Sequence, residues 1–267
     1  MDEVFRKLYA TADTLARDSS PPVELRSICD RFGIIIRRST SRQDGLKRAF
    51  LFQRNDATEI VLPEGAVGQN SFTIWDRFLI AHELGHYFLS ELKAPKPLGP
   101  QEYWETERIC DRFARRLLLP TREVPAVIAD ASKSATEFLS ATAHLHLKWA
   151  VPWPVAAHQV AECSESVHFF RIVHDQNQFR VKVSTLPEKR QTGRKIPAMS
   201  PLGSLLQQFR QTGGSPEQIP LSQLHDFDLL ANSSDAAVHR VGLKEYRVAA
   251  LPVRLFTTAE PRLQITV

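Results

Sequence analysis

The chain has 267 residues, 43% hydrophobic and 24% charged, with a formal net charge of +4; it is long enough to bury a substantial core in one large domain or two smaller ones. The charge is mild and spread out, which permits an acidic partner without pointing to nucleic acid. No stretch reaches the roughly 18 to 20 apolar residues of a membrane span, the N-terminus does not read as a secretory signal, and three distant cysteines (Cys29, Cys110, Cys163) argue against a disulfide framework and for a reducing cytoplasm.

In chain order, residues Val4 to Arg17 repeat apolar positions at helical spacing, and PPVELRSICDRFG (Pro21 to Gly33) reads as a helix begun near the prolines and closed by Gly33. IIIRRS from Ile34, RAFLFQ from Arg48 and TEIVLP from Thr58 read as extended, separated by RQDG and RND turn chemistry, and suggest a small antiparallel sheet. Helical periodicity returns from Phe72 to Leu89, breaks at KAPKPLGP, and resumes from Gln101 until Pro120 stops it. Residues Ala135 to Glu162 read as two or three short helices with Pro152 and Pro154 at a turn. From about Ser164, β-branched and aromatic enrichment marks strands in SVHFFRIV, QFRVKVSTL, EYRVAALPVRLF and RLQITV around a helix at PLGSLLQQFRQTGG.

One apolar run carries chemistry. FLIAHELGHYFL (Phe78 to Leu89) places His82, Glu83 and His86 inside a buried helix pattern, where two imidazoles and a carboxylate need partners. Residues four apart on a helix stand one turn above the other, so both rings reach one divalent ion and Glu83 sits beside them. Catalytic zinc usually takes three protein donors. In ETERICDRFARRLLLP (Glu105 to Pro120), Glu107, Cys110, Asp111, Ala114, Leu117 and Leu118 share a stripe while the arginines lie away from it. Glu107 is the first choice for the third ligand and Glu105 the second. Asp111, a turn beyond Glu107, is placed to accept a hydrogen bond from the distal nitrogen of a metal-bound histidine. Cys110 reads as a small core residue, with an oxidation-sensitive thiol as the other reading.

Taken together, PPVELRSICDRFGI, a short sheet, WDRFLIAHELGHYFL and ETERICDRFARRLLLP resemble the ImmA/IrrE family of zincin-like metallopeptidases, over residues about 5 to 120. The resemblance rests on the His-Glu-x-x-His helix and on the later Glu-x-x-x-Asp-x-Phe-Ala-x-x-Leu-Leu-x-Pro helix, in that order. It implies that His82, His86 and Glu107 are the metal ligands and that Glu83 is the catalytic residue. This chain departs from the family at Ser90, where a histidine is frequent, and at Cys110, where alanine is frequent. The implied ion is Zn2+, although two imidazoles and a carboxylate also hold Mn2+ or Fe2+. The implied fold is α+β: a zincin-like core of helices and a small antiparallel sheet over 1–125, a helix-turn-helix-like segment over 126–163, and a C-terminal α+β domain over 164–267 that docks or regulates.

By the same resemblance, the substrate is a helix-turn-helix repressor of stress-response or mobile-element genes. Such a site has Glu83 take a proton from water and return it to the leaving amine. For the group that stabilises the oxyanion, Tyr87, Tyr103, His144 and His146 stay open. Two other readings are a metal-binding pseudoprotease and a DNA-binding regulator. The segment from Ala135 to Glu162 contains Lys148 and no arginine, which argues against direct nucleic acid binding.

Overall fold

The structure, a computed structural model, describes residues 2–17, 19–39, 48–54, 57–64, 71–93, 99–130, 134–164, 167–176, 178–185, 193, 195–212, 219–220, 233–241, 245–252 and 262–266. The turns expected at 42–45 and 55–56, most of the breaking segment after Lys93 and the end of the strand expected up to Phe256 lie outside them. The fold is α+β, and the chain divides into two compact units, residues 1–123 with 145–155 and residues 124–144 with 156–267. Residues 126–163, expected as a separate helical piece, are shared between these units.

In the first unit, helix α1 (Asp2–Ala16) buries Leu8, Ala12 and Ala16, a stripe of one residue per turn. Helix α2 (Leu25–Arg31) starts where the Glu24 side chain accepts the Arg26 N–H at 3.0 Å. It stops where Gly33 takes a φ of +66°, a conformation that Cβ-bearing residues rarely adopt.

Strands β1 (Ile34–Arg38), β2 (Phe50–Arg54) and β3 (Ala57–Leu62) form a three-stranded sheet in the order β1-β3-β2. The antiparallel sheet expected from sequence is therefore corrected: β2 and β3 are antiparallel, with Leu51 opposite Ile60, but β1 and β3 are parallel, with Ile36 opposite Ile60. The reason is which strand takes the middle. β3 buries Ile60, Val61 and Leu62 and belongs in the centre, whereas β2 is exposed at four of its five residues and tolerates an edge.

Helix α3 (Ile74–Glu91) opens on a reciprocal cap, in which Thr73 Oγ1 accepts the Asp76 N–H at 3.1 Å and Asp76 Oδ2 accepts the Thr73 N–H at 2.8 Å. The same carboxylate takes both ends of the Arg38 guanidinium, at 2.7 and 3.2 Å, which pins the start of α3 to the end of β1. Arg77, also buried, donates to the carbonyls of Val23 and Ala150 at 2.8 and 3.3 Å. Helix α4 (Pro100–Leu118) begins with proline at its first position and buries Cys110, Phe113, Ala114, Leu117 and Leu118. It packs against α3 and α1, and Tyr9 of α1 lies under the guanidiniums of Arg112 and Arg116 at 5.3 and 4.9 Å. Each fully buried Leu or Phe in these stripes contributes about 1.5–3 kcal/mol.

The anchor at Asp76 has a testable sign. Burial opposes its charge, but Arg38 and Thr73 outweigh burial and hold the carboxyl below its ordinary pKa. A carboxylate depressed in the folded state adds stability above its ordinary pKa and loses it as pH falls through that value toward the depressed one. Asp76→Asn is therefore expected to lower stability at pH 7 by about 2 kcal/mol, from the lost ion pair and half of the cap. The gap in urea midpoint should narrow below about pH 4. A gap that stays constant down to pH 2 counts against this account.

Beyond Pro120 the chain forms α5 (Glu123–Asp130), α6 (Ala135–Lys148) and α7 (Trp153–Ser164). Pro152 and Pro154 sit at the junction of the last two, as expected, and the Val155 N–H bonds the Pro152 carbonyl at 2.9 Å. Helix α5 has no expectation behind it, because Pro125 masks its pattern; in a helix's first turn proline displaces no hydrogen bond.

The second unit holds a seven-stranded sheet in the order β6-β5-β4-β9-β8-β10-β7, made by β4 (His168–Asp175), β5 (Gln178–Ser184), β6 (Lys195–Ile196), β7 (Ile219–Pro220), β8 (Ser233–Val241), β9 (Glu245–Pro252) and β10 (Arg262–Thr266). All pairs are antiparallel except β8 with β10. Helix α8 (Pro201–Thr212) occupies the expected helical stretch, with Leu202 and Leu206 buried. Among the described residues, no helix is long and apolar enough to cross a membrane.

Candidate metal centre

Helix α3 presents His82 and His86 one turn apart, with Nε2 atoms 3.2 Å from each other. From α4, Glu107 brings Oε2 to 3.4 Å from His82 Nε2 and Oε1 to 3.3 Å from His86 Nε2. All three residues offer a donor atom within 4.8 Å of the others. A tetrahedron with metal–ligand bonds of about 2.0–2.1 Å has edges of about 3.3–3.4 Å. The separation of the two Nε2 atoms matches one such edge, and Glu107 holds a carboxylate oxygen at an edge's length from each ring, so the donor set fits a small divalent cation in size as well as in chemistry.

The hydrogen bond behind His82 agrees with that fit. His82 Nδ1 lies 2.8 Å from Asp111 Oδ1, so the ring donates its Nδ1–H to that carboxylate and keeps the Nε2 lone pair toward Glu107. Burial disfavours a charge on His82, but the hydrogen bond to Asp111 and the nearby Glu83 and Glu107 carboxylates raise its pKa overall. Burial and the neighbouring His82 lower that of His86.

Helix spacing is set at Gly85, between the two histidines. A Cβ there would lie 3.1 Å from Cys110 Cα and 3.3 Å from Phe113 Cδ1, closer than side chains normally pack. The bare backbone lets α4 approach until Glu107 reaches both rings. Cys110, fully buried at this contact with a thiol pKa pushed up by burial, is a packing residue here.

Glu83 is 6% exposed and points to the strand side, where the backbone N–H of Leu51 donates to its carboxylate. Burial, with Glu107 nearby, raises its pKa despite His82 and the Leu51 amide. Above the donors lies a cleft of about 620 Å³, walled by Arg48, Phe50 and Leu51 on one side and by Tyr103, Trp104 and Arg108 of α4 on the other.

The structure thus brings together His82, Glu83, His86, Glu107 and Asp111. Glu105, the second choice for a ligand, is exposed and outside the trio. Of the four oxyanion candidates, Tyr103 lines the cleft, and its hydroxyl donates to the Glu107 carboxylate. Tyr87 packs against Phe32 and Phe88 instead, His146 is tied to the Val151 carbonyl, and His144 belongs to the other unit. The contributions of Arg48 and the Leu51 amide carry no local sequence signal, because strand pairing alone brings them to the helix. Arg108 reads from periodicity only as lying away from the α4 stripe.

No family model matches the chain, and no curated protein matches it. Among solved structures it is similar to a Mycobacterium tuberculosis transcriptional regulator, with a TM-score of 0.51 and 14% identity over 92% of this chain and 75% of that one. At that identity the likeness speaks to the fold alone, and it is a likeness of α+β architecture.

Proposed function

We propose that this chain is a zinc-dependent, site-specific endopeptidase that cleaves a helix-turn-helix transcriptional repressor. The observation that supports it most is the meeting of two imidazole Nε2 atoms and one carboxylate at 3.2–3.4 Å, with a second, buried carboxylate beside them. A divalent cation on these donors supplies Lewis acidity, making water a nucleophile near neutral pH and polarising a carbonyl. Zn2+ suits the set best, and Mn2+ or Fe2+ share it.

The remaining steps belong to side chains. Glu83 takes the proton of the attacking water and passes it to the leaving nitrogen, and its raised pKa brings it nearer the working range of a general base. Asp111 holds His82 in one tautomer. Strand β2 lies at the sheet edge, and Leu51 turns its amide outward to Glu83, so an extended peptide can add alongside it. Tyr103 turns its hydroxyl from Glu107 to the carbonyl oxygen and gives it a hydrogen bond as that oxygen takes up charge. Tyr103→Phe is expected to lower kcat about 10²-fold while changing zinc affinity by less than about tenfold; a parallel loss of zinc would reduce Tyr103 to a support for Glu107.

A role in transcription, which is the role that neighbour's name gives it, is reached here through the repressor rather than through DNA. The three free cysteines suit a reducing cytoplasm. The test is incubation of the zinc-loaded chain with a helix-turn-helix repressor encoded beside its gene, read by fragment mass. Discrete fragments are expected, and an intact repressor would sink the reading.

A further inference from the structure

The chemistry above uses every acid and histidine in the cleft but neither of its two arginines. Arg48 stands just before β2 on one wall, close enough to Tyr103 to oppose, without cancelling, the rise that Glu107 and burial cause in its phenol pKa, and Arg108 stands on α4 on the other. Four other arginines of the first unit sit with carboxylates, Arg37 with Glu59, Arg38 with Asp76, Arg116 with Asp13 and Arg122 with Glu123, and Arg77 is held by backbone carbonyls. Among the described residues, Arg48 and Arg108 have no carboxylate partner, although both are exposed. Arg108 is also oriented. Its Nε donates to the Trp104 carbonyl at 3.3 Å, which ties down the inner edge of the guanidinium and leaves both terminal nitrogens for an incoming group.

We infer that Arg48 and Arg108 are specificity residues that read an acidic side chain, Asp or Glu, in the peptide lying along this cleft, beside a large apolar residue received by Phe50, Phe78 and Trp104. This inference rests on the peptidase reading and names its substrate class. The charge balance supports it. Glu83, Glu107 and Asp111 sum to −3 on the floor, a divalent cation there would leave −1, and the two rim arginines bring the cleft to +1. An arginine–carboxylate contact is directional, and Phe50 and Trp104, 37% and 53% exposed, offer flat apolar surface next to it.

The test separates this inference from the reading beneath it. Zinc-loaded full-length chain carrying Glu83→Gln, able to hold a peptide without turning it over, is applied at fixed salt to an array of random nonapeptides paired with copies in which Asp and Glu become Asn and Gln. Acidic members are expected to be retained about tenfold better than their amide copies. Adding Arg48→Gln and Arg108→Gln should bring that ratio to about one. An array with no preference for the acidic copies overturns the inference, as does a preference that survives the arginine replacements. Repressor cleavage by the wild-type chain judges the peptidase reading separately, so either can fail alone.

Discussion

Glu83→Gln is expected to lower kcat for repressor cleavage by about 10²–10⁴-fold while leaving zinc affinity within a few-fold of wild type. The substitution keeps the shape of the side chain and its contact with the strand, since an amide oxygen still accepts the Leu51 N–H. What it removes is a group that can carry a proton. The three donor atoms lie on His82, His86 and Glu107, so the cation should stay. Fragment yield and zinc competition against a chromophoric chelator, measured on one preparation, check both halves. A variant that cleaves at the wild-type rate would remove Glu83 from the mechanism.

Glu107→Ala should give the larger loss of metal. It takes away one of three donors and leaves two imidazoles 3.2 Å apart without the carboxylate that completes the set. Asp111→Asn alters only the partner of His82 Nδ1 and is expected to weaken zinc by about 10–100-fold; Glu107→Ala should exceed that. Thermal denaturation supplies a second readout. Zinc should raise the midpoint of the wild-type chain, because a ligand that binds only the folded form stabilises it, and should do so far less for Glu107→Ala. Equal zinc affinity in Glu107→Ala and wild type would mean that this carboxylate is not a donor.

The grouping of these side chains was legible from the sequence because helical spacing is a local code. His82 and His86 at i and i+4, and Glu107 and Asp111 at i and i+4, each declare a face, and the apolar stripe around each pair says that the face points inward. That the two inward faces meet is an inference from burial, and in the structure they do meet. Pairing between strands has no comparable code. β1, β2 and β3 were each visible as extended segments, yet whether β2 or β3 sits next to β1 depends on which strand the rest of the unit buries, and that choice decides between parallel and antiparallel. Strand β8 escaped notice because SSDAAVHRV offers small and polar residues where strands usually declare themselves with branched and aromatic ones. For the same reason the Leu51 amide and Arg48 were invisible at the site: one is backbone and the other arrives from the sheet.

The missing side chain at position 85 reaches beyond packing, because with a cation on His82, His86 and Glu107 the distance between α3 and α4 would work as a gauge for ionic radius. Calcium, with bonds of about 2.3–2.6 Å, would ask for donor separations near 3.8–4.2 Å in the same tetrahedral arrangement. Shifting α4 outward to meet that demand would open a void against Cys110 and Phe113, at the energetic cost that cavities carry. With a cation on those donors, a glycine that touches no ion would thereby sort small cations from large ones, and an engineer wishing to retune the site for a larger cation would begin there rather than among the donor residues.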